Sequence, residues 1–168
     1  KGLGVTLQVA FAAAIIGVIL GTVLALLRLP KTKKGKSTFL GKIAGAYISV
    51  VRGTPLLLQV LIFAHGVFAA IRMDKVILGA IVCGLNSAAY VAEIIRGGIL
   101  SVDKGQVEAG RSLGLSSSKT MALIILPQAL KASLPALCNE FIALIKETSV
   151  LAYIALTDLT KAADYVRS

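Results

Sequence analysis

Four polar side chains lie inside apolar segments of this chain, where each needs a partner or a ligand because lipid offers none. Asn86, Ser87 and Tyr90 lie close together in one segment, and Glu140 lies well inside another. Asn86 and Tyr90 are four residues apart and therefore share one face of a helix. These amide and hydroxyl groups predict the polar wall of a path for a hydrogen-bonding molecule. Hydrogen bonds between helices are the structural alternative for the same three residues.

Glu140 has the most demanding position, because a carboxylate is costly at membrane depth and a functional role is the default hypothesis. It could neutralise a cationic ligand, pair with Lys146 or Arg96, or lie at a mouth that water reaches. Asp158, in the more polar segment after Lys146, is a second carboxylate that could hold a cation. The two acidic residues favour a positively charged ligand.

Residues for bond-making chemistry lack the required spacing. His65 has no second histidine near it, and Cys83 and Cys138 lie in apolar segments without a CxxC motif, which predicts buried structural thiols. The chain has no GxSxG or HExxH motif and no GxxxxGK(S/T) phosphate-binding loop. We therefore expect no metal, no cofactor and no enzymatic activity in this chain. An intramembrane hydrolase that uses a serine with His65 is the enzymatic alternative.

The composition is that of a membrane protein. Hydrophobic residues make up 57% of the 168 residues, charged residues make up 15%, and the mean hydropathy is +0.86. A net charge of +10 on a soluble protein would suggest a nucleic-acid partner. Here the cations lie mostly at the ends of apolar runs without a nucleic-acid-binding motif, so we expect a lipid bilayer and no nucleic acid. Residues 1–168 are expected to form one membrane domain.

Four membrane-spanning helices are predicted, so the fold class is all-α, a polytopic transmembrane helical bundle. Each apolar run, alone or with a short extension, can cross about 30 Å of hydrocarbon at about 1.5 Å per residue. The second run is short and has residues 47–51 as an amphipathic lead-in. Pro127 and Pro135 predict bends in the last helix. The spans are expected at residues 5–29, 55–71, 76–95 and 126–145.

The distribution of lysine and arginine predicts the orientation. Cations are numerous between the first and second spans, rare between the second and third, and frequent again after the third. The positive-inside rule makes the two cation-rich loops cytoplasmic and leaves the N-terminus outside. The three groups are Lys31, Lys33, Lys34, Lys36 and Lys42, then Arg72 and Lys75, then Arg96, Lys104, Arg111 and Lys119.

The loop after the third span has a distinct local pattern, EAGRSLGLSSSKTMALIILP at 108–127. Residues 106–113 predict a short helix that Gly114 ends, since glycine readily adopts a positive φ. A serine among residues 116–118 can cap the helix that follows. Glu108 and Arg111 are spaced to pair on one helix face. An ordinary solvated connection is the alternative.

This stretch resembles the EAA signature of the membrane subunits of ABC importers, EAA-x3-G-x9-I-x-LP. Glu108, Ala109 and Gly114 match it, as does the Ile-x-Leu-Pro ending, whereas Gly110 replaces the third alanine. The resemblance implies that a cytoplasmic ATPase docks on this loop. The coupling surface that it implies consists of Glu108, Ala109, Gly110, Arg111, Leu113 and Gly114.

Further blocks resemble the polar amino-acid branch of the ABC importer permeases, the histidine, glutamine, glutamate and arginine group. They are RGTPLLLQ at 52–59, GLNSAAYVAEIIRGGI at 84–99 and ILPQALKASLPALCNEFIALIKETS at 125–149. The resemblance implies the type I ABC importer permease fold. Five spans are usual in that branch, so a fifth span is expected beyond the four.

The same resemblance implies partners and a location. Two copies of the chain, or one copy and a homologue, would form the pathway, partner ATPases would bind ATP and Mg²⁺, and an extracytoplasmic binding protein would deliver an amino acid. The implied location is the bacterial inner or plasma membrane. Glu140 and Asp158 favour a basic amino acid, arginine, lysine or histidine. An ion-driven secondary amino acid transporter is the alternative, and it would not need the EAA loop.

Overall fold

The computed structural model describes residues 2–29, 38–69, 71, 73–156 and 159–167, which are helical apart from short connections. Asp158 and the cations at 31, 33, 34, 36 and 72 lie outside the described residues. Two π-helical segments, Phe63–Val67 and Met121–Ile125, follow α3 and precede α7, and a 3₁₀ helix, Thr148–Ile154, follows α7. The α-helices are α1 (Gly2–Arg28), α2 (Phe39–Gly53), α3 (Leu56–Ile62), α4 (Lys75–Ser101), α5 (Lys104–Ser112), α6 (Ser117–Thr120), α7 (Leu126–Glu147) and α8 (Leu159–Arg167).

Three helical stretches among the described residues are long and apolar enough to cross a membrane. They are Gly2–Arg28, Lys75–Ser101 and Ser117–Ile154. Helix α2 and residues 56–67 pass the same test only when the two are taken together as one bent span. The all-α class is confirmed, with four spans when the bent pair counts as one.

The second span, expected at 55–71 with residues 47–51 as a lead-in, is a pair of helices, α2 and the helix after it, with a bend of 106° between them. Thr54 is extended, with φ −117° and ψ 137°. The residue before a proline avoids the α region, and Pro55 itself has no N–H to donate. The second span is therefore broken at Thr54 and Pro55, and the lead-in at 47–51 belongs to the separate helix α2.

Helices α1 and α4 pack closely along small residues. A Cβ on Gly21 would lie 2.7 Å from the Val91 Cβ and 2.9 Å from the Ala88 carbonyl oxygen. A Cβ on Gly84 would lie 2.7 Å from the Ile16 Cβ. Small residues let membrane helices approach to backbone contact, where van der Waals packing holds them together. Helix α4 is the central helix, with 67% of its membrane-length window buried against 33% for α1.

The relative direction of α1 and α4 follows from which residues meet. Gly17 lies against Ser87 and Gly21 lies against Val91, so the contacts advance along both helices together and the two helices are parallel. Two parallel neighbours require a return crossing between them in the chain. The bent pair of α2 and α3 is the segment available for that crossing.

Helix α7 runs antiparallel to α4 and contacts it at two levels. Ser87 Oγ donates a hydrogen bond to Glu140 Oε1 at 2.7 Å, and Ser133 Oγ donates one to the Ile94 carbonyl oxygen at 3.3 Å. At the second level a Cβ on Gly98 would collide with Ser133 Oγ. The two levels fix the height of Glu140 in the bundle.

A π-helical turn at Met121–Ile125 precedes α7 and is explained by Pro127. The proline has no N–H, and its ring crowds the carbonyl four residues earlier, that of Leu123. A wider turn relieves such crowding without ending the helix. Residues 117–154 therefore remain one helical stretch from the loop before α7 to the 3₁₀ helix after it.

The contact between α1 and α4 predicts opposite effects for two glycines of the same helix. Gly21→Ala adds a Cβ that a backbone oxygen and a β-branched side chain block, so it should lower the free energy of unfolding by about 1–3 kcal/mol. Gly4→Ala meets no atom within 4 Å and should be neutral or stabilise by up to about 1 kcal/mol through helix propensity. Melting temperatures of the detergent-purified proteins measure both effects. Equal melting temperatures would contradict backbone contact between the helices.

Candidate functional site

The break between α2 and α3 removes helical partners from backbone carbonyls, and the side chains of Thr54 and Gln59 replace them. Gln59 Nε2 donates to the Val51 carbonyl oxygen at 2.9 Å, to the Thr54 carbonyl oxygen at 3.1 Å and to Thr54 Oγ1 at 2.9 Å. Irregular backbone is tolerated at membrane depth only where protein or a water-filled cavity satisfies its polar groups. Gln59 is therefore a structural requirement of the broken span.

Asn86 and Tyr90 both contact the region of this break, as their shared helix face predicts. Asn86 is 4% exposed, and its Nδ2 donates to Gln59 Oε1 at 3.2 Å. The half-buried Tyr90 has the guanidinium carbon of Arg52 5.1 Å from its ring centroid, which is a cation–π geometry. The two predicted residues thus belong to a cluster that α2, α3 and α4 build together.

Ser87 is directed to α7 instead, where its hydroxyl is the hydrogen-bond partner of Glu140 at 2.7 Å. Gly17 of α1 leaves room for this hydroxyl, because a Cβ at Gly17 would lie only 2.8 Å from Ser87 Oγ. No ion pair joins Glu140 to Lys146 or Arg96 in the described part of the chain, so that alternative is wrong. Glu140 keeps one oxygen without a described partner.

A separate charged cluster explains why Arg96 is not available to Glu140. Glu93 accepts hydrogen bonds from Arg96 Nε at 3.0 Å and Arg96 Nη2 at 2.7 Å, and its other oxygen pairs with Arg28. Arg28 is the last residue of α1, so this cluster joins the end of α1 to α4. Its two cations for one carboxylate make it a positively charged neighbour of the polar site.

Arg52 and Gln59 are the residues of the site that sequence reasoning missed. Both lie in the RGTPLLLQ stretch, on either side of the proline that breaks the span. A signal was present, since a cation directly precedes the break and a glutamine is embedded in the short apolar run after it. Neither residue shares a helix with Asn86, so periodicity could not connect them.

One chain supplies only part of an enclosed site. The cavity beside Ser87 and Glu140 has a volume of about 50 Å³, while a single water takes about 30 Å³ in the liquid. A larger cavity of about 400 Å³ lies at the N-terminal end of α4, between His65, Lys75 and Tyr153, away from the polar cluster. The polar residues therefore form a wall without enclosing a molecule of amino-acid size.

Metal and thiol chemistry have no cluster to support them within the described ranges. No group of three or more His, Cys, Asp or Glu side chains there could hold a metal ion. Cys83 is buried and free, as expected. Cys138 is free but exposed on α7, so the expectation of a buried thiol is wrong there, because α7 is covered on only one side.

The loop after α4 forms an elbow of two helices, α5 and α6. The Asp103 carboxylate caps α5 by accepting from the Gly105 N–H at 2.6 Å, and α5 ends before Gly114, which has φ 79°. Ser116 Oγ caps α6 by accepting from the Lys119 N–H at 3.3 Å. The predicted short helix, glycine break and serine cap are confirmed.

The tip of the elbow exposes an apolar side chain. Leu113 is 79% exposed, and Glu108 and Ala109 on the preceding turn are exposed as well. The expected pair of Glu108 and Arg111 is wrong, because among the described residues Arg111 Nη1 donates to the Leu115 carbonyl oxygen at 2.7 Å and forms no ion pair. A carbonyl near a helix C-terminus is a common partner for such a cation.

Gly110 is the buried residue of α5, and its surroundings explain the missing alanine. A Cβ there would lie 2.7 Å from Thr120 Cγ2 and 2.9 Å from Ile124 Cδ1. Thr120 is 1% exposed, and its Oγ1 is the one enclosed side-chain polar atom without a partner among the described residues. Helix α5 therefore packs on α6 and the π-helical turn at a distance that a glycine permits.

Comparison with known proteins gives consistent matches. Residues 17–167 match the family described as the inner membrane component of binding-protein-dependent transport systems. The chain is 43% identical over 167 residues to the arginine transport system permease protein ArtQ of Bacillus subtilis, covering 97% of this chain and 73% of ArtQ. It is 42% identical over 168 residues to the putative glutamine transport system permease protein GlnP of Rickettsia bellii, with 99% and 75% covered. It is 39% identical over 167 residues to the L-cystine transport system permease protein TcyB of Bacillus subtilis, with 98% and 69% covered.

Solved structures show the same similarity in three dimensions. The crystal structure of an amino acid ABC transporter with histidines matches with a TM-score of 0.89 and 42% identity, covering 99% of this chain and 76% of that chain. An inward-facing structure of the methionine ABC transporter MetNI matches with a TM-score of 0.75 and 18% identity, covering 91% and 72%. The second match shows a shared fold.

The contact between Gly110 and Thr120 predicts that the alanine of the signature is not tolerated here by itself. Gly110→Ala should lower the free energy of unfolding by about 1–3 kcal/mol, because the added methyl group overpacks the elbow. Adding Thr120→Ser should recover most of the loss, since serine lacks the Cγ2 methyl that the new Cβ meets. Thermal unfolding of the single and double variants measures the effect. A Gly110→Ala protein as stable as the unmodified one would exclude close packing of α5 on Thr120.

Proposed function

This chain belongs to the family of inner membrane components of binding-protein-dependent transport systems and is an amino acid ABC permease of the type I importer fold, and from that premise we propose that it imports a basic amino acid, arginine, lysine or histidine. The relatives are named for arginine, glutamine and cystine. Relationship alone therefore does not choose the cargo. The choice of a basic amino acid as cargo rests on the polar residues of the site.

Glu140 is the observation that carries the proposal. It is a carboxylate in a membrane helix, and its one hydrogen-bond partner in the described residues is the neutral hydroxyl of Ser87. A partly buried carboxylate that forms no ion pair among the described residues is costly in a membrane helix. The guanidinium, ammonium or imidazolium of a basic amino acid would supply that counter-charge through a charge-assisted hydrogen bond. Asp158, outside the described residues, is proposed as a second carboxylate for the cationic end.

The cluster around the break offers groups for the part that all amino acids share. Arg52 lies over the Tyr90 ring and forms no ion pair within the described residues, so its guanidinium is available for a substrate carboxylate. Asn86 adds a neutral hydrogen-bonding group one turn away on α4. Asn86, Ser87, Tyr90 and Glu140 are thus proposed to line the substrate path.

A second permease copy, or a homologue, would complete this path. Only 17% of the membrane-length window of the stretch containing α7 is buried within one chain. The uncovered side of α7 carries Gln128, Lys131 and Asn139, which lipid cannot satisfy. We infer that this side faces an aqueous path shared with the second subunit, while the apolar side of α1 faces lipid.

We propose that the elbow of α5 and α6 receives a cytoplasmic ATPase. The exposed Leu113, with Glu108 and Ala109 beside it, forms an apolar tip with a charged margin, which suits a groove on a partner protein. The chain has no phosphate-binding loop, so ATP and Mg²⁺ would bind to that partner. Closure of the ATPase dimer on ATP would turn the path from inward-facing to outward-facing. An ion-driven transporter would have no use for this surface.

The proposed orientation puts the elbow in the cytoplasm and the N-terminus outside, in a bacterial inner or plasma membrane. The parallel pair of α1 and α4 and the antiparallel α7 are compatible with it, because each span then reverses the one before. The excess of cations in the first and third loops supports the same orientation. An extracytoplasmic binding protein would contact the N-terminal end of α4, at Lys75.

Neutralising Glu140 tests the class of cargo. Glu140→Gln keeps the size and can still accept from Ser87, but it cannot compensate a cation. We expect the detergent-purified permease–ATPase complex to prefer L-arginine over its neutral isostere L-citrulline. In the variant the ratio of the two affinities should be about tenfold smaller, as for the loss of one charge-assisted hydrogen bond. Calorimetric affinities measure it, and Cys138→Ala, which changes a free exposed side chain two residues away on α7, is the control that should keep the preference. The same preference in Glu140→Gln, or none in the unmodified complex, would remove the basis for a basic cargo.

Replacing Leu113 tests the docking surface and, with it, the orientation. Leu113→Asp should reduce co-purification of the ATPase at least about tenfold, because charging a central apolar contact of an interface commonly costs about 2 kcal/mol or more. Leu113→Met keeps the apolar contact and should co-purify normally. Pull-down of the ATPase and its hydrolysis rate are the measurements. Full co-purification and coupled hydrolysis with Leu113→Asp would place the ATPase elsewhere.

A further inference from the structure

The side-chain amides of Gln59 and Asn86 form a hydrogen-bond chain whose direction is set at the break between α2 and α3. The backbone carbonyls of Val51 and Thr54 can only accept hydrogen bonds. The nitrogen of the Gln59 amide must therefore face them, and it donates to both. This leaves Oε1, an acceptor, as the group that Gln59 turns to α4.

Asn86 must consequently meet Gln59 as a donor. Its Nδ2 lies 3.2 Å from Gln59 Oε1, and its other end, Oδ1, accepts no hydrogen bond from the described residues. The one fully enclosed polar side-chain atom without a partner in the described residues is Thr120 Oγ1, in the elbow. Asn86 Oδ1 is therefore not completely enclosed within one chain and has no described donor.

We propose that Gln59 is the positioning residue of the substrate site, because it fixes Asn86 with its carbonyl oxygen free and so makes this position a hydrogen-bond acceptor that takes the α-ammonium group of the amino acid. The proposal rests on the proposed function, since the ammonium belongs to the cargo. Gln59 itself does not touch the substrate. The substrate carboxylate is excluded from Asn86 Oδ1, because two acceptors cannot bond, and Arg52 is the complementary donor near Tyr90.

The opposite direction of the chain is disfavoured by the groups at the break. If Asn86 accepted from Gln59, the Gln59 nitrogen would leave the Thr54 carbonyl without a described donor and would remove one of the donors to the Val51 carbonyl. Each buried polar group left unsatisfied costs about 1–3 kcal/mol. One direction therefore dominates, and the broken backbone determines which end of Asn86 meets the cargo. An apolar residue at position 59 would release Asn86 to present either end.

The test compares two ligands that differ only in the α-ammonium, L-arginine and 5-guanidinovalerate, on the purified permease–ATPase complex. The unmodified complex should prefer L-arginine, and Asn86→Ala should reduce the preference about tenfold, as for a lost charge-assisted hydrogen bond. Gln59→Leu should reduce it by a smaller factor, because the released Asn86 still presents its oxygen part of the time. The double variant should match Asn86→Ala alone, because Gln59 acts through Asn86. Thr54→Val is the matched control, since it changes an acceptor at the break but leaves the amide chain in place.

A purely structural role for Gln59 would weaken both ligands alike and leave their ratio unchanged, which would overturn the proposal. Independent, multiplying effects of Gln59→Leu and Asn86→Ala on the ratio would also overturn it. If the unmodified complex binds neither ligand, the basic cargo itself fails, and the ratio of L-glutamine to glutarate monoamide affinity replaces the first pair. Loss of that second ratio in Gln59→Leu supports the proposal, and its retention overturns it.

Discussion

Lipid gives two membrane helices no hydrophobic reason to associate, so the pair at the centre of this bundle depends on how closely α1 can approach α4. Gly17, Gly21 and Gly84 remove the Cβ atoms that would hold the two backbones apart. The parallel pair that results fixes the rotation of α4, and this rotation directs Ser87 to α7 and Asn86 to the broken span. The contact between α1 and α4 therefore positions both parts of the polar site, Ser87 with Glu140 and Asn86 with Gln59.

The broken second span connects a backbone requirement to the orientation of Asn86, which we propose to bind the substrate. Pro55 frees carbonyl groups at a depth where lipid cannot hydrate them, and the Gln59 amide satisfies them. An amide has one donor end and one acceptor end, so satisfying carbonyls at one end imposes an acceptor at the other. Asn86 inherits this direction. In our proposal the same hydrogen bonds would stabilise the break and orient Asn86 for the substrate.

The elbow and the substrate wall are also linked through the backbone. Residues 117–154 form one helical stretch, which starts beside the buried Gly110–Thr120 contact and passes Glu140 on its way to the 3₁₀ helix. A displacement of the elbow by a docked ATPase would reach Glu140 without crossing a flexible loop. The π-helical turn before Pro127 lies between the two and is the point where this stretch departs from regular geometry.

The sequence by itself determined the features that depend on local chemistry: the all-α class, the long apolar helices, the elbow with its Gly114 break and serine cap, and the shared face of Asn86 and Tyr90. These follow from apolar run length, helix periodicity and capping, which act within a few residues. The tertiary structure decided the partners of Glu140 and the recruitment of Gln59 and Arg52. Those outcomes depend on which helix faces meet across long stretches of chain, and that is set by backbone contact between α1 and α4, which no local pattern encodes.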